Sequence, residues 1–118
     1  MNAPETIFAY RARALNVVDG DTVDLFIDLG FRMTSTQRVR LLGVNTPELH
    51  SPDLSVRERA VAAKQFLMSM LLIGGDWPLI VQTAKSDSFG RWLADIWVAG
   101  THVNNALLEK GHAVPFKR

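Results

Sequence analysis

The sequence predicts a mainly β fold with α elements: five strands closed into a small barrel, a long helix between strands three and four, and a short helix near the C-terminus. Three observations carry this. Residues alternate between apolar and polar through much of the first half. The period changes to a helical one after Pro52, and short apolar strand-like runs resume at Leu79 and Trp92. Five short strands in 118 residues close on one another more readily than they leave unprotected edges.

Each element follows in order. Ile7 to Val18 mixes apolar and basic residues at a strand-like period and ends at the turn signal Asp19-Gly20. Val23, Leu25, Ile27 and Leu29 then share one face, with Asp24, Phe26 and Asp28 on the other, the mark of a half-buried strand. Arg38 to Val44 is the third strand, broken at Gly43 and Pro47. Beyond Pro52, Val56, Ala60, Ala63, Leu67 and Leu71 form one helical stripe. Ser55-Val56-Arg57-Glu58 reads as a capping box opening that helix, and Gly74-Gly75 as its stop. Leu79 to Gln82 and Trp92 to Val98 supply two further strands. A short helix from about Val103 to Lys110 closes at Gly111, and an extended tail follows. A helix between strands three and four of a five-stranded barrel is the OB-fold order. No repeat, low-complexity tract or linker divides the sequence, so residues 1–118 are expected to form a single domain.

Composition narrows the function. With 13 Lys plus Arg against 12 Asp plus Glu, the net charge is +1, which excludes a nucleic-acid binder working by bulk charge. Any site for a polyanion must be local. The absence of cysteine removes disulfides, thiolate metal sites and cysteine nucleophiles together, leaving His, Asp and Glu as ligands. The N-terminus has no basic region followed by an apolar stretch, and no apolar run approaches the roughly 20 residues that span a bilayer. The expectation is a cytoplasmic protein without a membrane partner.

Three segments concentrate polar residues: Asp19-Gly20-Asp21-Thr22, the run Arg40 to Glu48, and Asp87-Ser88-Phe89-Gly90-Arg91. The first also reads as an ordinary Asp-Gly turn. An EF-hand fails, because its sixth and twelfth positions counted from Asp19 hold Asp24 and Gly30. His50, His102 and His112 lack any paired zinc spacing. Arg40, in an apolar strand, either snorkels, pairs with a nearby aspartate or binds an anion. Arg91 follows Gly90, which permits close approach of a ligand. Two arginines beside acids able to hold a hard cation suit phosphodiester chemistry. Guanidinium forks neutralise phosphate charge, a metal polarises a phosphoryl oxygen and a carboxylate activates water.

From about Ala14 to Phe116 the sequence resembles the thermonuclease, or staphylococcal-nuclease-like, domain family. The resemblance rests on ordered motifs: Val18-Asp19-Gly20-Asp21-Thr22-Val23, Arg40 to Glu48, Phe89-Gly90-Arg91-Trp92-Leu93-Ala94, and Val103 to Gly111. It implies an OB-fold barrel and calcium-dependent hydrolysis of DNA or RNA leaving a 3′-phosphate. Asp21 then resembles a calcium ligand and the Thr46 carbonyl another. Glu48 is similar to the general base for water, and Arg40 and Arg91 to the phosphate-binding arginines. Phe89 falls where the family often has an aromatic near the base; stacking on a base and packing in the core are both open.

The local sequence suggests how these residues converge. An undisturbed strand sends Arg40 and Asn45 to opposite sides. A bend at Gly43 brings them back to one site, and Pro47 restricts Thr46 to extended geometry. Two departures from the family pattern stand out. Asn45 occupies the place of a second aspartate ligand, so weaker calcium binding is expected, with Asp19 a nearby spare acid. The sequence also stops at Arg118 without the family's usual C-terminal helix. A monomer is expected, with self-association through the face left open as the other outcome. A catalytically silent barrel that binds nucleic acid or a protein is the rival to the nuclease.

Overall fold

The computed structural model describes residues 8–86 and 91–116, apart from the side chains of Lys85 and Ser86. In chain order the elements are β1 (Ala9–Asp19), β2 (Thr22–Gly30), β3 (Met33–Leu41), β4 (Val44–Asn45), α1 (Leu54–Leu71), β5 (Leu79–Ser86), β6 (Trp92–Val98), β7 (Thr101–His102), α2 (Val103–Glu109) and β8 (Val114–Pro115). β1, β2 and β3 form an antiparallel meander, β1 also pairs with β5, and β5 with β6. A parallel pairing of β3 with β6 closes the circuit, so five strands make a barrel with an OB-fold order. No helix among the described residues is long and apolar enough to cross a membrane.

Alternation places the core as the sequence suggests. Val23, Leu25 and Ile27 of β2 point inward with Val39 and Leu41 of β3, Val81 of β5 and Ile96 of β6. From α1, Leu67 and Leu71 join the same cluster, while Ala60 and Ala63 lie buried against the barrel wall. Ion pairs cross the outer face, Arg11 with Asp28 and Arg38 with Asp24. Phe26 lies flat against Trp77 with the Arg13 guanidinium 4.7 Å over its ring.

Several expectations need correction. Leu29 is 41% exposed rather than buried, because the β2–β3 hairpin runs on past the core. The third strand begins at Met33 and ends at Leu41. Its first half, Met33 to Gln37, is polar at nearly every position and carries no alternation to betray it. The hairpin turn, Phe31-Arg32, lacks Gly or Asn, although both residues adopt positive φ. Helix α1 is capped by Asp53, whose carboxylate accepts from the Ser55 amide and hydroxyl, so the Ser55–Glu58 capping box does not form. The helix starts two residues earlier than that box required, and an aspartate caps as well as a serine. β5 extends to Ser86, beyond the predicted Gln82.

The tail is not simply extended. β8 pairs with β4 through Val44 to Pro115 and Asn45 to Val114, and the Phe116 amide donates to the Gly43 carbonyl at 2.9 Å. This strap crosses the chain directly after the third strand, beside the polar residues singled out above.

Candidate functional site

Three backbone features assemble the site at one end of β2. Gly20 lies in the β1–β2 turn, so close to α1 and the β4 exit that a Cβ there would meet the Ala63 Cβ at 2.8 Å and the Thr46 side chain at 2.9 Å. Only glycine lets the turn seat against both. The Asp21 carbonyl then accepts from the Leu41 amide at 2.8 Å, tying the start of β2 to the end of β3. Gly43, with φ of +79°, bends the chain between β3 and β4. A left-handed position costs an L side chain roughly 1–2 kcal/mol, which glycine avoids.

The bend brings Arg40 and Asn45 together: an Arg40 Nη2 donates to Asn45 Oδ1 at 2.9 Å and lies 3.3 Å from Asp21 Oδ2. Asp21 is buried, and its carboxylate also accepts from the Thr46 amide at 3.1 Å and the Thr22 hydroxyl at 3.2 Å. A carboxylate removed from water needs such partners. Asp19 accepts from the Asp21 amide at 3.0 Å. Burial pushes the Asp19 carboxyl up from 3.8 to about 6, and the neighbouring Asp21 acts in the same direction. Above Arg40 sits the Phe116 ring, 5.6 Å from the guanidinium carbon, and the Arg40 Nε is buried without a hydrogen-bond partner among the described residues.

The remaining predicted residues stand around this cluster. Thr46 is buried behind Asn45, which is exposed. The Glu48 side chain is exposed, and its backbone carbonyl accepts from Ser51 at 3.3 Å. Arg91 is half-buried and immediately precedes β6, which runs beside β3 in the register Val39 to Trp92 and Arg40 to Leu93. Phe89 lies outside the described residues. The histidines are dispersed: His102 is 2.8 Å from Asp95 and stacks on Trp97, and His112 packs on Phe66.

One buried residue without an expected role holds the bend in place. Asn104 of α2 accepts from the Ile96 amide at 3.1 Å and donates to the carbonyls of Leu42 at 2.9 Å and Ala94 at 3.0 Å. It thus fastens the residue before Gly43 to β6 and α2. Its signal was the amide pair Asn104-Asn105 at the start of a short helix, where propensity disfavours such a residue unless its side chain is bonded.

Comparison with known proteins supplies the family. Residues 38–118 match the family described as staphylococcal nuclease homologue. The chain belongs to the staphylococcal nuclease family. A thermonuclease of Staphylococcus intermedius is 33% identical over 97 residues, covering 82% of this chain and 54% of that protein. A thermonuclease of Staphylococcus hyicus is 29% identical over 101 residues, 86% of this chain and 56% of its own. An uncharacterized protein of Bacillus anthracis is 30% identical over 105 residues, 88% of this chain and 46% of its own. The chain spans about half the length of these curated relatives.

The family match contains Arg40, Asn45, Thr46, Glu48 and Arg91 but begins after Asp21. It is the Gly20 turn and the Leu41-to-Asp21 hydrogen bond that carry Asp21 to the matched staphylococcal nuclease segment. Among the described residues no group of three or more His, Asp or Glu side chains converges on one point. The oxygens brought together around the Arg40 Nη2 are instead mixed, one from the Asp21 carboxylate and one from the Asn45 amide, with the Thr46 amide bonded to Asp21. That hard, all-oxygen set fits calcium in kind, with a single formal charge.

Proposed function

We propose that the chain is a calcium-dependent nuclease that hydrolyses phosphodiester bonds of DNA or RNA and leaves 3′-phosphates. The observation that supports this best is the convergence of Asp21, Arg40 and Asn45 at one bend, held by hydrogen bonds from 2.9 to 3.3 Å. Asp21, Asn45 and the Thr46 carbonyl would hold the cation, which when bound supplies Lewis-acid polarisation of a phosphoryl oxygen. Arg40 donates from Nη2 at the bend, and its guanidinium is a fork suited to a phosphate oxygen pair. Glu48, exposed three residues beyond Asn45, takes the proton from the attacking water. Arg91, preceding the strand beside β3, donates to the charge that builds in the phosphorane-like state.

A second reading has one observation in its favour. The Arg40 guanidinium bridges Asp21 and Asn45, the two side chains a cation would use, as a fixed internal cation does in a silent binding barrel. A nuclease assay on single-stranded DNA and RNA with calcium and with EDTA decides between them. Arg40→Ala and Arg91→Ala are each expected to lower turnover about 10²–10³-fold, and Glu48→Gln on the order of 10²–10⁴-fold. Full activity in EDTA, or in all three variants, overturns this mechanism, and no hydrolysis with calcium favours the silent barrel. Calorimetric titration adds a finer check: Asn45→Asp is expected to tighten calcium binding by adding a charge.

A further inference from the structure

A second feature begins where the Asp21 cluster ends. A cleft of about 490 Å³ opens from Asn45 and Thr46 and runs between the first turns of α1 and the turn that follows α2. Its charged side chains are Arg59 and Lys110, with His112 beside them, and no carboxylate side chain lines it. Val56 contributes apolar lining.

The construction of the walls is specific. The turn after α2 is fixed by hydrogen bonds from the Gly111 amide to the Leu108 carbonyl at 3.1 Å and from the His112 amide to the Leu107 carbonyl at 2.9 Å. The His112 ring is held 4.7 Å from the Phe66 ring. The tail that forms one wall is paired to Asn45 itself, so wall and phosphate site are parts of one hydrogen-bonded unit.

The cations of this cleft differ from those on the barrel's outer face. On the barrel's outer face Arg11 lies 2.6 Å from Asp28 and Arg38 2.7 Å from Asp24, so those cations are neutralised in place. Among the described residues Arg59 and Lys110 form no ion pair. Both are exposed. Arg59 Nε donates to the Ser55 carbonyl at 3.4 Å and its charge is felt by Asp53 at the helix start. Even so, in a chain of net charge +1 this groove, continuous with the proposed phosphate site, is lined by two cations and no carboxylate.

We infer that this cleft binds the single strand flanking the reacting phosphate, with Arg59 and Lys110 receiving its phosphates and the apolar lining its sugars and bases. The inference rests on the nuclease reading for its direction, since the strand leaves from Asn45 and Thr46. Phosphates along a strand demand repeated cations, whereas an uncharged ligand would gain nothing from them.

The test is fluorescence anisotropy of a labelled single-stranded deoxyoligonucleotide of about 12 nucleotides, in EDTA, across a salt series. Arg59→Gln with Lys110→Gln is expected to weaken binding about tenfold at low salt. The plot of log affinity against log salt is expected to become shallower by about 1.4, for two single-strand phosphates released. Arg57→Gln removes one exposed charge from the same helix but outside the cleft and is expected to change affinity less than about twofold. Unchanged affinity and slope in the double variant, an equal loss in Arg57→Gln, or no binding by the unmodified protein overturns the inference. Binding lost as expected in a protein that never hydrolyses the strand with calcium leaves the cleft standing and removes the nuclease reading. Hydrolysis with no effect of the double variant does the reverse.

Discussion

The two ends of β2 are built differently. At its start, the β1–β2 turn, the Gly43 bend and α2 are joined by hydrogen bonds to Asp21, Leu42, Ala94 and Ile96, and the polar side chains Asp21, Thr22, Thr46 and Asn104 are buried. At its far end the chain turns through Gly30, Phe31 and Arg32, all at positive φ, and exposes Leu29, Phe31 and Met33. An apolar recess of about 540 Å³, lined by Tyr10, Ile27 and Trp92 among others, opens beside it. The difference follows from what each end must do with polar groups. A buried donor or acceptor left unpaired costs about 1–3 kcal/mol, so the site end must be satisfied group by group. Strain at an exposed hairpin tip desolvates nothing.

The comparison breaks most visibly at Asn104. Asn104→Ala strips three hydrogen bonds from a side chain that is 2% exposed and leaves the Ile96 amide unpaired inside the barrel wall. A loss of about 3 kcal/mol is expected in urea unfolding. A loss below about 1 kcal/mol would mean that water or a repacked neighbour replaces the amide and that the bend does not depend on it.

Gly20 comes next. An added methyl in Gly20→Ala meets Ala63 and Thr46 at distances that real Cβ atoms do not adopt, so α1 or the Thr46 segment must shift. About 2 kcal/mol of destabilisation is expected. Pairing it with Ala63→Gly should recover part of that loss, because the nearest clash is with the Ala63 methyl. No recovery would place the conflict at Thr46, and with it the geometry of the site.

What the sequence made legible divides along the same line. The β2 alternation, the α1 stripe and the ordered motifs were readable, since each is a periodic or local signal. The bend at Gly43 was readable because glycine and proline bracket it. The first half of β3 was not, because Thr34, Ser35, Thr36 and Gln37 carry no alternating hydrophobicity and are held in place by the β2 register instead. Nor was the cap of α1, since Asp53 and Ser55 are both good caps and only the backbone entry angle chooses between them. Asn104 and the β8 strap act across 62 and 70 or so residues of chain, a separation local patterns do not encode. Phe116 over Arg40 belongs to the same class of long-range contact.

The hairpin end should respond in the opposite sense to substitution. Phe31 and Arg32 have φ of 54° and 61° between the paired residues Gly30 and Met33, the geometry of a two-residue primed turn. Phe31→Asn with Arg32→Gly supplies the residues that such a turn favours. It also removes a phenyl ring that is 99% exposed. A gain of about 1 kcal/mol is expected, read as a rise in the urea midpoint at constant slope. A loss would mean that the Phe31 ring has a partner outside this chain.

Acid separates the two ends by sign. Asp19, at the site end, has its carboxyl raised to about 6 by burial and by Asp21, so the folded state binds a proton more tightly than the unfolded chain. Its ionised form therefore costs stability above about pH 6, and that cost disappears as pH falls towards 3.8. Asp28, at the hairpin end, is lowered by the Gly30 amide and then by Arg11. Its contribution is present above 3.8 and is lost as pH falls through the lowered value. Asp24 and Asp53, also lowered, lose theirs in the same acid window. In EDTA the urea midpoint is thus expected to rise from pH 7 to pH 5 and to fall below pH 4. Asp19→Asn keeps an oxygen for the Asp21 amide while removing the charge, so it should flatten the rise and leave the fall. Asp28→Asn should make the fall shallower and leave the rise. A rise that persists in Asp19→Asn would move the source of the pH dependence away from the site and remove the contrast between the two ends.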